Sequence, residues 1–114
     1  VAAGFYDAVL ATGVEKVIEL LPSSFSLNQN YPNPFNPSTV ISYQLSAGSH
    51  VSLKVFDMLG KEVASLVNEE KAPGKYQINW NGADNFGNKV STGIYFYTLH
   101  AGNFLETKKM VLMK

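Results

Sequence analysis

Few side chains in this 114-residue chain could do chemistry. His50 and His100 could exchange protons near neutral pH, but they lie far apart in sequence, each at the edge of an expected strand. A Ser/His/Asp set can be assembled on paper, yet the Gly-x-Ser-x-Gly pattern that exposes a serine nucleophile is absent. Glu69-Glu70 is followed by Lys71 in an expected loop, which reads as a solvated charge cluster. No phosphate loop, dinucleotide fingerprint or His-x-x-x-His metal pair occurs. Without cysteine there is no disulfide, thiol nucleophile or zinc–thiolate site. The expectation is a protein that is not an enzyme and needs no cofactor.

Binding chemistry has three candidate seats. Asn81, Asp84, Asn85 and Asn88 share a loop with Gly82 and Gly87, and oxygen-rich loops can hold calcium. Calcium takes about six to eight ligands. Only Asp84 is charged here, and the acidic spacing and closing glutamate of an EF-hand are missing. A turn held by Asx bonds is therefore favoured, with calcium at Asn81, Asp84 and Asn85 the weaker alternative. Trp80, Tyr95 and Tyr97 could form an aromatic platform for sugar rings. Alternation puts Tyr95, Tyr97 and Leu99 on one strand face and Ile94 and Phe96 on the other. One of those faces must be core, so the platform is the less favoured reading. Lys108, Lys109 and Lys114 surround the apolar stretch Met110–Met113, which includes Val111. A terminal strand of this kind could add itself to another protein's sheet edge. Its lysines could equally be solvated guards of an exposed edge.

The elements that position these residues are strands. Gln29–Thr39 packs Pro32, Pro34 and Pro37 into one run with Asn30, Asn33 and Asn36. Each proline fixes φ, removes a backbone donor and pushes its predecessor away from helix, while asparagines favour turns. The expectation is a stiff, extended entrance to a β domain, pinned by the rings of Tyr31 and Phe35. Beyond it, Ile41, Tyr43 and Leu45 alternate with polar residues, as do Val51, Leu53 and Val55, and then Tyr76, Ile78 and Trp80. Asp57–Gly60 and Ala72–Gly74 read as turns, Gly60 being available for a positive φ. Val63–Val67, Ile94–Leu99 and Phe104–Met113 supply further strands. With a short piece near Phe25 this makes about seven strands. The fold expected is an all-β, immunoglobulin-like antiparallel sandwich over residues 22–114, close to the ~100 residues such domains use.

Residues 1–21 fit a helix and short extended pieces equally well. Tyr6, Val9, Leu10, Val14, Val17, Ile18 and Leu21 recur at helical spacing, but Gly13 interrupts them and the β-branched residues suit strands. The segment is expected to be the tail of a preceding domain plus a linker ending at Leu21–Ser24. The opening at Val1 reads as the C-terminal piece of a longer polypeptide. No internal repeat is evident. Net charge is zero and all nine basic residues are lysines, which argues against phosphate-driven binding of nucleic acid. No apolar run approaches the roughly 20 residues of a membrane helix, so no membrane insertion is expected.

Several stretches together resemble one family. Tyr31-Pro32-Asn33-Pro34-Phe35-Asn36-Pro37 resembles the opening signature of the C-terminal sorting domain (type A) carried by type IX secretion substrates. Val51–Val63, with Gly60 at its turn, is similar to that family's strand-turn-strand segment. Trp80-Asn81-Gly82, Gly87 and Thr92-Gly93-Ile94-Tyr95-Phe96-Tyr97 resemble its third block. Thr107–Lys114 is similar to its terminal block, in which lysines precede a short apolar strand. The third block also resembles the immunoglobulin-like domain of flagellar hook-capping proteins. The resemblance implies a non-catalytic transport signal, joined to an upstream cargo domain and recognised by the outer-membrane secretion machinery. It implies export through the periplasm to the cell surface or beyond. A surface peptidase would remove the tag, with the cut expected near Leu21–Ser24 because exposed linkers are readily cleaved. Lys108, Lys109, Val111 and Lys114 are then the expected recognition residues. Tyr31, Phe35 and Trp80 are expected to hold the shape. The rival reading is a binding or assembly sandwich of carbohydrate-binding or hook-capping type.

Overall fold

Alternation along each strand decides what faces inward. The computed structural model describes residues 22–113. They form β1 (Ser26–Leu27), β2 (Thr39–Leu45), β3 (Ser49–Phe56), β4 (Glu62–Lys71), β5 (Gly74–Trp80), β6 (Gly93–Ala101) and β7 (Phe104–Leu112). Ile41, Tyr43 and Leu45 of β2 are buried in the same core as Val51, Leu53 and Val55 of β3 and Tyr95, Tyr97 and Leu99 of β6. Burying such side chains stabilises the fold by about 1.5–3 kcal/mol each before entropy is counted. The expected helix or extended pieces of residues 1–21 lie outside the described residues.

The strands divide into a three-stranded sheet, β1-β2-β5, and a four-stranded sheet, β4-β3-β6-β7. All ladder pairings are antiparallel. In immunoglobulin lettering this is A-B-E packed on C′-C-F-G, the expected all-β sandwich. The β2–β3, β4–β5 and β6–β7 connections are short and lie at one end of the molecule. The opposite end carries the longer segments 28–38 and 81–92, the 57–61 turn and the end of β7.

Strand β4 departs from the expected outline. It runs on through Asn68-Glu69-Glu70-Lys71, where a loop was expected, pairing with Ser49–Ser52. The charged side chains stay in water while the backbone continues the ladder, and Lys71 Nζ meets Glu69 at 2.8 Å. Two register shifts against β3 insert extra residues, so Ala64 and Val67 are both buried although three positions apart.

Tyr97 is fully buried, and its hydroxyl donates to the Asn28 carbonyl at 2.6 Å, tying β6 to the segment after β1. Burial pushes its phenol up to about 12, and burial likewise raises that of Tyr43. A folded-state value above the unfolded one stabilises the fold at pH values below about 10. That stability is lost as pH rises from about 10 toward 12. The melting temperature should therefore fall through that window, the two tyrosines adding no pH dependence below about pH 9. Tyr97→Phe should cost about 1 kcal/mol of stability at neutral pH for the lost hydrogen bond, lowering the melting temperature slightly, and should soften the alkaline fall. Identical alkaline profiles for the two proteins would contradict this role.

Candidate functional site

The proline–asparagine run is built from polar bonds that substitute for the donors its prolines lack. The buried Asn30 donates through Nδ2 to Pro32 O at 3.1 Å and to Thr39 Oγ1 at 2.9 Å. Thr39 in turn donates to Pro32 O at 2.8 Å. The three X–Pro peptide bonds are cis. The run is not one straight extended piece as expected, but two bridged points, Tyr31 against Val40 and Phe35 against Leu112, with bends between them. Of the two expected anchors only Phe35 is buried, at 1% exposure, whereas the Tyr31 ring is 80% exposed. Tyr31 is held by its backbone, which exchanges N–H···O bonds with Val40 at 3.0 and 2.9 Å.

The run lies along the outer edge of β7. Gln29 Nε2 donates to Lys109 O at 2.7 Å, and Val111 N donates to Asn33 Oδ1 at 3.0 Å. Phe35 N donates to Val111 O at 3.0 Å, and Met113 N to Phe35 O at 2.9 Å. The first and last sequence blocks are thus hydrogen-bonded to each other in parallel. The Phe35 ring enters the core against Trp80 (centroids 5.7 Å apart), and Trp80 meets Tyr95 edge-on at 5.7 Å. Trp80 also donates its Nε1–H to Ala83 O at 2.8 Å.

The third block closes the same end. At Gly82 (φ +76°) an added Cβ would stand a tight 3.2 Å from Pro37 O and 3.6 Å from Leu112, so both the backbone conformation and the space between the first and last blocks favour glycine. The loop beyond repeats a turn found after β3. Asp57 Oδ1 accepts from Leu59 N and Lys61 N, and Asp84 Oδ1 accepts from Phe86 N and Asn88 N, all at 2.9–3.0 Å. Each turn places a glycine at positive φ, Gly60 at 84° and Gly87 at 86°. Each also projects an apolar side chain, Leu59 at 93% and Phe86 at 88% exposure. With Tyr31, Met58 and Met113, five of the six exposed large hydrophobic residues among the described residues gather at this end, Leu105 being the other. A groove of about 310 Å³ lies beside them, lined by Asn36, Pro37, Asn81, Lys89, Thr92 and Met113 among others.

The expected recognition residues divide. Lys109 is exposed and Val111 half-buried on the outer face of the four-stranded sheet, directly across from Phe96 and Ile94. Lys108 points to the other face and pairs with Glu106 at 3.2 Å. Lys114 lies outside the described residues. The terminal strand does not offer a bare edge from Lys109 to Met113, because the proline–asparagine run already occupies it. Gly93 starts β6. Trp80, Tyr95 and Tyr97 are all buried, so they form no surface platform for sugars. The weak calcium candidates spend their side-chain oxygens on backbone N–H groups of the loop and of β4. Asn81 Oδ1 accepts from Ala83 N, and Asn85 Oδ1 from Ser65 N. Asn30 bonds nearby backbone at Pro32 O, as asparagines in such a run are expected to do. Gln29 and Thr39 stand in the sequence only as the ends of the run, and nothing there signals their bonds to Lys109 and Pro32.

The model of the secretion system C-terminal sorting domain matches residues 29–113, from the segment gripping β7 to its end. The chain belongs to that family. A search of curated proteins finds no match. Two solved structures from Porphyromonas gingivalis are similar in fold. One is PorZ, described as an essential surface component of the type IX secretion system, with TM-score 0.54 and 19% identity. The other is dimeric latent PorU, with TM-score 0.59 and 18% identity. The alignments cover 78% and 76% of this chain but only 12% and 9% of those proteins. The sorting domain's four sequence blocks converge on one end of this sandwich.

Removing either ring of that end should be severe. Phe35→Ala and Trp80→Ala should each cost ~3–5 kcal/mol, a large part of the ~5–15 kcal/mol typical of a domain. Gly82→Ala should also destabilise, through strain at its positive φ and the contact with Pro37. Urea melts of the three variants check this, and midpoints near that of the parent would contradict the packing described.

Proposed function

We propose that this chain is a type IX secretion signal that works as a folded recognition tag, not as a linear peptide. The observation that carries the reading is the lateral bonding of the proline–asparagine run to the terminal strand. A receptor that read the end of β7 would therefore be reading a surface assembled from both ends of the domain. Family membership and the fold shared with PorZ and PorU support a place in this pathway.

In this reading the tag follows an upstream cargo domain, passes with it through the periplasm and engages the outer-membrane machinery. Lys109 and Val111 meet the receptor together with the neighbouring Phe96 and Ile94. Lys108 and Lys114 extend the basic surface around them. A surface peptidase then cuts near Leu21–Ser24, ahead of a sandwich whose hydrogen-bonded backbone resists proteolysis. The cargo is released or joined to surface lipopolysaccharide. The domain itself does no catalysis.

A Sec-directed reporter fused ahead of the 114-residue chain tests this in a type IX-competent host and its secretion-deficient mutant. Reporter should appear outside the competent cells and stay in the periplasm of the mutant. Lys109→Glu should lower export severalfold, while Lys61→Glu, in the turn after β3, should not. Equal retention of a folded, intact fusion in both hosts would count against the reading.

A further inference from the structure

Natural sandwiches protect their sheet edges against unwanted pairing, and this one does so at three of its four. Strand β1 is only two residues long. The outer edge of β7 is bonded to Gln29, Asn33 and Phe35. Strand β4 is bulged against β3, and Asn85 covers its start, donating to Val63 O at 3.1 Å and accepting from Ser65 N at 2.8 Å. Strand β5 has no such protection among the described residues. It is seven residues long, pairs with β2 without a register shift, and has no neighbour on its other side among the described strands.

The ladder shows which groups that edge presents. Val40 and Ser42 of β2 direct their backbone toward Tyr31 and Asn28. By alternation Ile41 and Tyr43 face β5, where their partners are Ile78 and Tyr76. Lys75, Gln77 and Asn79 therefore aim their N–H and C=O groups away from the sheet. That is a row of three donors and three acceptors, and none of them is bonded by another described residue.

The opposite sheet sets the width of the opening. Strand β1 lies beside β7 across the sandwich, and Phe25 stacks on Phe104 at 5.8 Å. With three strands in one sheet and four in the other, and β1 set against β7, the larger sheet extends beyond β5 on the β4 side. Tyr76 and Ile78 on β5 and Val63 and Leu66 on β4 are only partly buried along this side. The result is a slot one strand wide, with an open edge as its wall and apolar side chains as its floor.

We infer that this slot takes a single extended segment of a secretion-machinery protein, added to β5 as a fourth strand of the smaller sheet. This rests on the sorting reading. The segment alternates apolar residues, which pack on Ile78, Tyr76 and Leu66, with polar residues directed to solvent beside Lys75, Gln77 and Asn79. Main-chain bonding gives the affinity and the apolar positions give the selectivity. A second copy of this chain does not fit. Joining two β5 edges would drive the two projecting β4 strands into the same space.

Proline at an outward-facing edge position removes the donor and obstructs the incoming strand while sparing the ladder to β2. The test uses the 114-residue chain behind the exported reporter in the competent host. It compares the parent, Gln77→Pro and Gln77→Thr, with melting temperatures of the purified fusions. Gln77→Pro should stay folded and export about tenfold less, as for the loss of ~1.4 kcal/mol of binding. Gln77→Thr, which keeps the N–H, should export like the parent. If Gln77→Pro fails to fold, Lys75→Pro at the same edge carries the same expectation. A folded proline variant exported as well as the parent overturns the slot while leaving the sorting reading intact. A parent fusion that is not exported at all overturns both.

Discussion

The constraint on which the rest of this structure depends is the parallel contact between Phe35 and the end of β7. Its N–H and C=O span Val111 O and Met113 N, and its ring fills the core beside Trp80. A proline-rich segment cannot form a ladder of its own, because prolines have no donor to give. The chain compensates by making Phe35 both a backbone bridge and a core side chain. Asn33 and Gln29 extend the grip back along β7 with side-chain bonds at Val111 and Lys109. The end of β7 is therefore fixed by residues more than seventy positions earlier.

That arrangement explains why separate sequence blocks serve one place. The proline–asparagine run supplies the cover for β7, Gly82 supplies the clearance between Pro37 and Leu112, and Trp80 supplies the floor. The paired Asp-centred turns then raise Leu59 and Phe86 into solvent at the same end. Exposed apolar residues gathered this way mark an interaction surface more readily than scattered ones. The molecule thus spends its hydrogen bonds on closing most sheet edges, and leaves open an apolar-tipped end and the edge of β5.

Much of the fold was legible because period-two alternation in β2, β3, β5 and β6 leaves a clean trace. Strand β4 is longer than its apolar pattern suggests, since two bulges break its alternation and its last residues are charged. The burial of Trp80 and Tyr95 was readable from strand parity and from the size of the core. The exposure of Tyr31 was not, because a ring next to a proline looks the same whether it packs or projects. Nor could sequence show that the terminal strand's edge is occupied, since that depends on a contact between the two ends of the domain. Lys108 and Lys109 stand on the legible side of that line, since strand parity alone sends one toward Glu106 and the other to the outer face.

The most direct measurement of the central claim is native-state hydrogen exchange at the amides of Phe35, Val111 and Met113. If the run and the terminal strand form one cooperative unit, these three should exchange only through global unfolding, with the same free energy as the Tyr97 and Leu99 amides of β6. Exchange at Val111 and Met113 through local fraying, several kcal/mol below the global value, would show that the end of β7 is not held by the proline–asparagine run.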